Sequence, residues 1–153
     1  MEQRLNYPAL APEPIKAMYA IGKYLQTCGL EPSLLDLVKI RASQMNGCAF
    51  CIDMHTQDAR AAGETERRIY ALSAWRETPF FTDRERAALQ WTETVTHLAT
   101  GVSDAAYDQV RQHFREKELV DLTWAVIAIN AWNRAAISFR AVPGTYKPVK
   151  TSA

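Results

Sequence analysis

Cysteine is scarce in this chain. Only Cys28, Cys48 and Cys51 occur among 153 residues, an odd number and too few for the disulfide framework of a small secreted domain. An excess of charge of one sign is missing too. Basic and acidic residues nearly cancel, leaving a formal net charge of +1, and no Lys/Arg block stands apart from acidic neighbours, so nothing favours nucleic acid or an acidic partner. The amino terminus lacks the unbroken apolar stretch of a signal peptide, because Glu2 comes early and prolines stand at 8, 12 and 14. A cytoplasmic location is the expectation. The most apolar segment, Leu119 to Phe139, is interrupted by Asp121, Asn130, Asn133 and Arg134, each costly in hydrocarbon. It reads as a buried helix of a soluble bundle, with no membrane partner. No strand, internal repeat or low-complexity tract is recognisable.

What is present is helical patterning within a length and an apolar content (48% of residues) that suit one domain over residues 1–153. Apolar residues recur at helical spacing from about Pro14 to Cys28, with Gly29 as a stop. Pro32 and Ser33 open a second helix that reaches about Met45 and breaks at Asn46-Gly47. A third begins at about Cys48 and ends before Gly63, and a fourth runs from Thr65 to about Trp75. Thr82 and Glu85 form a T-x-x-E capping box ahead of a fifth helix that stops near Gly101. Ser103 starts a short sixth. The seventh, about Glu116 to Arg140, is apolar on nearly every side, as befits a helix covered all round by other helices or by another subunit. Pro143, Gly144 and Pro148 make a non-helical tail. The class is all-α, with about seven helices.

Two of the three cysteines fall in "NGCAFCIDMHTQDAR", residues 46–60. On a helix advancing about 100° per residue, Cys48, Cys51 and His55 lie within an arc of about 60° and share one face. Asp53 points to the other side, toward solvent. The break at Asn46-Gly47 puts both sulfurs in the first turn, where free backbone N–H groups and the helix dipole stabilise a thiolate. His55, one turn below Cys51, is placed to accept or relay the proton, and a second thiol three residues away traps an oxidised first sulfur as a disulfide. A carboxylate beside the histidine would fix its tautomer, and Asp36, in the preceding helix, is the candidate.

Other readings compete. Two small apolar residues can simply fill a core. Zinc needs four ligands where the motif offers three, with only Cys28, His97 or His113 to add. Haem attachment is excluded because Ile52, not histidine, follows Cys51. Ser33-x-x-Asp36 also reads as a variant capping box. His97 and His113 suit the surface or an interface, and Cys28 a packed last turn. Trp75, Trp91, Trp124 and Trp132 suit core or interface, some of them walling a pocket above the thiols. Asn130 and Asn133 call for hydrogen bonds between helices or subunits.

The run "DLVKIRASQMNGCAFCIDMHTQDARAAG", residues 36–63, resembles the core motif of the AhpD-like alkylhydroperoxidases within the carboxymuconolactone decarboxylase family. That motif is a Glu, then C-x-x-C-x-x-x-H about a dozen residues on. The similarity extends through "LSAWRETPFFTDRERAALQWTE" (72–93) and "IAINAWNRAAISFR" (127–140). The lactone decarboxylases that name the family lack the cysteine pair. The resemblance implies an all-α AhpD-like bundle around a helical hairpin, assembled as a homo-oligomeric trimer or hexamer, and a peroxidase site without cofactor or metal. By position, Cys51 would be the peroxidatic thiolate, Cys48 the partner that closes the disulfide, and His55 with Asp36 the proton relay. The substrate would be a hydroperoxide and the reductant an external dithiol, which in the family can be a lipoyl-bearing protein. Asp36 stands where the motif has Glu, and Ala49 and Phe50 stand between the cysteines where a relative has a histidine before the second. A non-catalytic redox sensor or disulfide-exchange protein using the same pair is the alternative.

Overall fold

The structure, a computed structural model, describes residues 2–148, and among them every regular element is helical. In chain order these are α1 (Tyr7–Leu10), α2 (Pro12–Leu25), α3 (Pro32–Asn46), α4 (Ala49–Ala61), α5 (Glu66–Ala71), α6 (Asp83–Thr96), α7 (Asp104–Arg111) and α8 (Glu116–Phe139). A 3₁₀ turn, Leu72–Glu77, continues α5, and another, Leu98–Thr100, follows α6. The short α1 is additional to the seven expected helices. It starts with Pro8 in its first turn, and its cap residue, Asn6, accepts the Ala9 N–H, so prolines that read as breakers serve here as helix starters.

Helix α3 is the centre of the bundle and packs against α4, α6 and α8. Leu37, Val38 and Ile40 are wholly buried. One cluster joins Leu34, Leu35 and Val38 to α6, α7 and α8, and a second joins Leu37 and Ile40 to Ala59, Leu72, Trp75 and Leu89. Hydrogen bonds lock this packing. Glu93 of α6 accepts from Arg41 Nε and Trp75 Nε1, each at 2.8 Å. Burial alone would push its carboxyl up, yet the hydrogen bonds from Trp75, Arg76 and Arg41 hold it below the usual range. Asp121, 2% exposed, is satisfied by Tyr24 Oη at 2.7 Å and Lys117 Nζ at 2.6 Å, which ties α2 to α8.

The Thr82–Glu85 capping box forms at the start of α6, and Thr65 and Ser103 cap α5 and α7 as their positions suggested. The Ser33–Asp36 box does not form. Helix α3 begins two residues earlier than a Ser33 cap would place it, after Glu31 and without a side-chain cap, and Asp36 pairs instead with Lys39. Helices of the same chain do not cover α8 on every side: Val120, Trp124 and Ile127 face outward from this chain. No helix among the described residues is long and apolar enough to cross a membrane.

Candidate active site

The α3–α4 hairpin turns at Gly47, whose φ of 69° is the left-handed conformation that glycine adopts without strain. Asn46, just before it, is held by α8. Its Nδ2 donates to Asn130 Oδ1 and Asn133 Oδ1, both at 2.9 Å. Asn133 in turn donates to Ser43 Oγ at 3.0 Å, and Asn130 to Thr96 Oγ1 at 3.0 Å. The two asparagines are interhelical glue, satisfied in a buried setting where an unpaired amide would be costly. Their effect is to fix where α4 begins.

At that point Cys48 is the cap residue of α4, outside the helix proper, and its sulfur accepts the Cys51 N–H at 3.3 Å. Cys48 and Cys51 are joined in a disulfide, with Cα atoms 5.3 Å apart. Both are buried, packed with Ala136 of α8 and against Phe50 and Ala141. A cavity of about 420 Å³ opens beside Cys48, between the start of α4 and the end of α8. Cys51 is not among its lining residues.

His55 follows one turn after Cys51, also nearly buried, its Nδ1 without a hydrogen-bond partner. Burial, aided by the Lys39 ammonium, lowers its pKa from the usual 6.5 to about 3, so the imidazole is neutral. Its cavity, about 380 Å³, is a different one, walled by Tyr19, Leu35, Ile129 and Trp132 with Lys39 and Asp58 at its polar side. The carboxylate facing His55 is that of Asp58, whose Oδ2 lies 3.9 Å from Nδ1. Asp36 is one step removed: its Oδ1 takes the Lys39 ammonium at 2.7 Å, and no hydrogen bond joins it to His55 among the described residues.

Sequence reasoning missed Lys39 and Asp58, although their helical offsets from Asp36 and His55, three residues each, were visible signals. Asp53 is not free in solvent as expected. Its Oδ2 accepts the Gly144 N–H at 2.8 Å, and Tyr146 Oη reaches Asp58 Oδ1 at 2.5 Å, so the tail lies across α4. Of the tryptophans, Trp132 walls the His55 cavity, while Trp75 and Trp91 are core. Cys28 lies three residues beyond the end of α2 and not in its last turn, partly buried against the core with its thiol directed to Leu25 O at 3.2 Å, and His97 is exposed. Among the described residues no three of His, Cys, Asp and Glu converge as metal ligands.

A helical hairpin with a bonded C-x-x-C at the head of its second helix and an imidazole one turn on defines an all-helical dithiol protein of AhpD-like fold. The profile of the Carboxymuconolactone decarboxylase family matches residues 12–94, more than half of the chain, and the protein belongs to that family. It is similar to YdfG, an uncharacterized protein of Bacillus subtilis, with 48% identity over 139 residues, 90% of this chain and 95% of the relative. A solved structure from Agrobacterium tumefaciens, of unknown function and suggested to be the antioxidant defence protein AhpD, matches with a TM-score of 0.90 at 44% identity. It covers 95% of this chain and all, 100%, of the other. An uncharacterized peroxidase-related protein from Ralstonia eutropha, with an alkylhydroperoxidase AhpD core, shares the fold at 20% identity and a TM-score of 0.80, over 90% of this chain and 74% of that one.

Proposed function

We propose that the protein is a thiol-dependent peroxidase that reduces hydroperoxides through the Cys48/Cys51 dithiol and disulfide. The observation that carries this reading is the bonded pair at the head of α4 with a neutral imidazole one turn away. In the reduced protein His55 takes the Cys51 proton. The developing thiolate raises the basicity of the imidazole, because each charge stabilises the other. The Cys51 thiolate attacks the terminal peroxide oxygen, the O–O bond breaks, and the departing alkoxide takes the proton from His55 to leave as an alcohol. Cys48 then attacks the Cys51 sulfenic acid, the S–S bond forms and water leaves. An external dithiol returns two electrons and two protons. Asp36 acts through Lys39: it holds the ammonium whose field sets how readily His55 accepts a proton. The enzyme works in a reducing cytoplasm as a homo-oligomer, a trimer or hexamer, and the outward apolar row of α8 supports such assembly.

The deciding experiment follows peroxide consumption with dithiothreitol as reductant. Wild type turns over an alkyl hydroperoxide, and Cys51→Ser falls to the uncatalysed background. Equal rates for the two would overturn the proposal.

A second reading, a redox-responsive protein without turnover, is favoured by one observation. Ala141, leading into the tail, packs on the buried cysteine pair, so opening the disulfide would be felt by the tail. In that case peroxide is not consumed catalytically, while tail hydrogen exchange differs between oxidised and reduced protein.

A further inference from the structure

Two separate cavities with no lining residue in common flank α4, and only one of them is lined by a cysteine of the disulfide. One holds His55 and Lys39. The other meets the pair at Cys48 alone, and its walls are Phe50, Ala136 and Ile137 with Arg4 and Arg140 at its edge. No acidic residue lines this second cavity. Arg4 donates from Nη1 to the Ser138 carbonyl at 3.0 Å, which holds its guanidinium against the end of α8. Among the described residues neither Arg4 nor Arg140 forms an ion pair with a carboxylate. The pocket therefore combines an apolar floor, one half of the disulfide in its wall and two cations without internal counter-ions. Such a site attracts an organic anion and, more strongly, an anion whose reactive end is a thiolate.

We infer that the Cys48 cavity is the docking site of a carboxylate-bearing thiol reductant, and that the disulfide is opened at the Cys48 sulfur. The inference rests on the reading of the pair as a redox couple. The incoming thiolate attacks Cys48 Sγ, a new S–S bond forms, and the Cys48–Cys51 bond breaks with its electron pair going to Cys51. The Cys51 thiolate then takes a proton. In a dithiol, the second thiolate attacks the reductant's own sulfur in the mixed disulfide and releases Cys48, so that the reductant leaves as a disulfide and the protein has gained two electrons and two protons. The Cys51 amide on Cys48 Sγ would by itself make Cys48 the better leaving group. The position of the cavity argues in the other direction: both cysteines are nearly fully buried, 1% and 2% exposed, but Cys48 and not Cys51 lines the opening through which a thiolate would come.

The test uses oxidised full-length protein without peroxide and a matched pair of monothiols, 3-mercaptopropionate and its neutral amide. The mixed disulfide is trapped early with N-ethylmaleimide and located within the Cys48–Cys51 peptide by tandem mass spectrometry. The adduct is expected on Cys48 with maleimide on Cys51, forming about 10-fold faster with the anionic thiol at low salt. That ratio is expected to shrink as salt is raised. Joint Arg4→Gln and Arg140→Gln substitution should bring the ratio toward one, whereas Arg140→Lys should keep most of it. An adduct on Cys51, or an anion preference that ignores both salt and the arginines, would overturn the inference. The salt series needs no variant, so a poorly folded double variant does not leave the question open. A protein that exchanges in this way yet consumes no hydroperoxide refutes the peroxidase reading and leaves this inference standing.

Discussion

His55 shows how one residue's surroundings translate into a measurable property. Its imidazole titrates near 6.5 when the chain is unfolded and near 3 when it is buried between Lys39 and the apolar cavity wall. Below pH 6.5 the unfolded chain binds a proton that the folded protein refuses, so this contribution to stability is complete above 6.5 and lost as pH falls toward 3. The slope should be about 1 kcal/mol per pH unit below pH 6. Thermal unfolding between pH 7 and 5 checks it. His55→Gln is expected to flatten the dependence in that window, and an unchanged slope would contradict the burial argument. The same environment bears on Asp36. With its carboxylate on Lys39 at 2.7 Å, Asp36→Asn frees the ammonium from its counter-charge and makes His55 harder to protonate. The pH profile of Cys51 alkylation in the reduced protein should then move upward relative to wild type, and Lys39→Met should move it downward. The cysteines and His55 were legible from spacing alone, because all three lie within eight residues of one helix start. Asp58 as the carboxylate facing His55 was less so. Its companion Tyr146 is 88 residues away in sequence, and no local pattern announces that contact.

Elements were legible where short-range chemistry sets them. The Thr82–Glu85 box, the Asn46-Gly47 break and the caps at Thr65 and Ser103 each depend on residues within one turn, and each formed at the expected place. Thr82→Ala should cost about 1 kcal/mol in denaturant unfolding, without change in the thiol chemistry, because the start of α6 is remote from the pair. What escaped the sequence is where an element's end is held by another element. Asn130 and Asn133 called for partners on other helices, but the Asn46–Asn130–Asn133–Ser43 network they form is not legible from periodicity, which cannot say that the end of α3 supplies those partners. Yet it determines the position of Cys48. Asn133→Ala leaves the Asn46 amide short of an acceptor and Ser43 without a donor in a buried site. A loss of about 1–3 kcal/mol is expected. Because the hairpin turn is then less firmly held against α8, the disulfide should also be reduced faster by dithiothreitol than in wild type. A variant with wild-type stability and wild-type reduction kinetics would show that the network is incidental to the site.

At the scale of the whole molecule, the feature that a single chain does not account for is the outer face of α8. Val120, Trp124 and Ile127 stand at i, i+4 and i+7, so they form one stripe, and they are 54%, 46% and 42% exposed. Tyr107 of α7 extends the patch across a shallow groove that Trp91 and Trp124 also line. Scattered apolar residues on a surface need no explanation, but an aromatic and two β-branched side chains in register on the longest helix make a contiguous patch of the kind that marks an interface. Helices α2, α3, α4, α6 and α7 cover the inner side of α8, and the all-round cover expected from the sequence would need a second copy on the outer side. If that copy is present in solution, a charge placed at the centre of the stripe must be buried without a partner on association. Trp124→Glu is therefore expected to sediment as a monomer of about 17.3 kDa at concentrations where wild type is oligomeric, with its helical circular dichroism retained. Its melting temperature should lose the dependence on protein concentration that an assembling wild type shows. Wild type sedimenting as a monomer at tens of micromolar, or an unchanged oligomer in Trp124→Glu, would place the interface elsewhere.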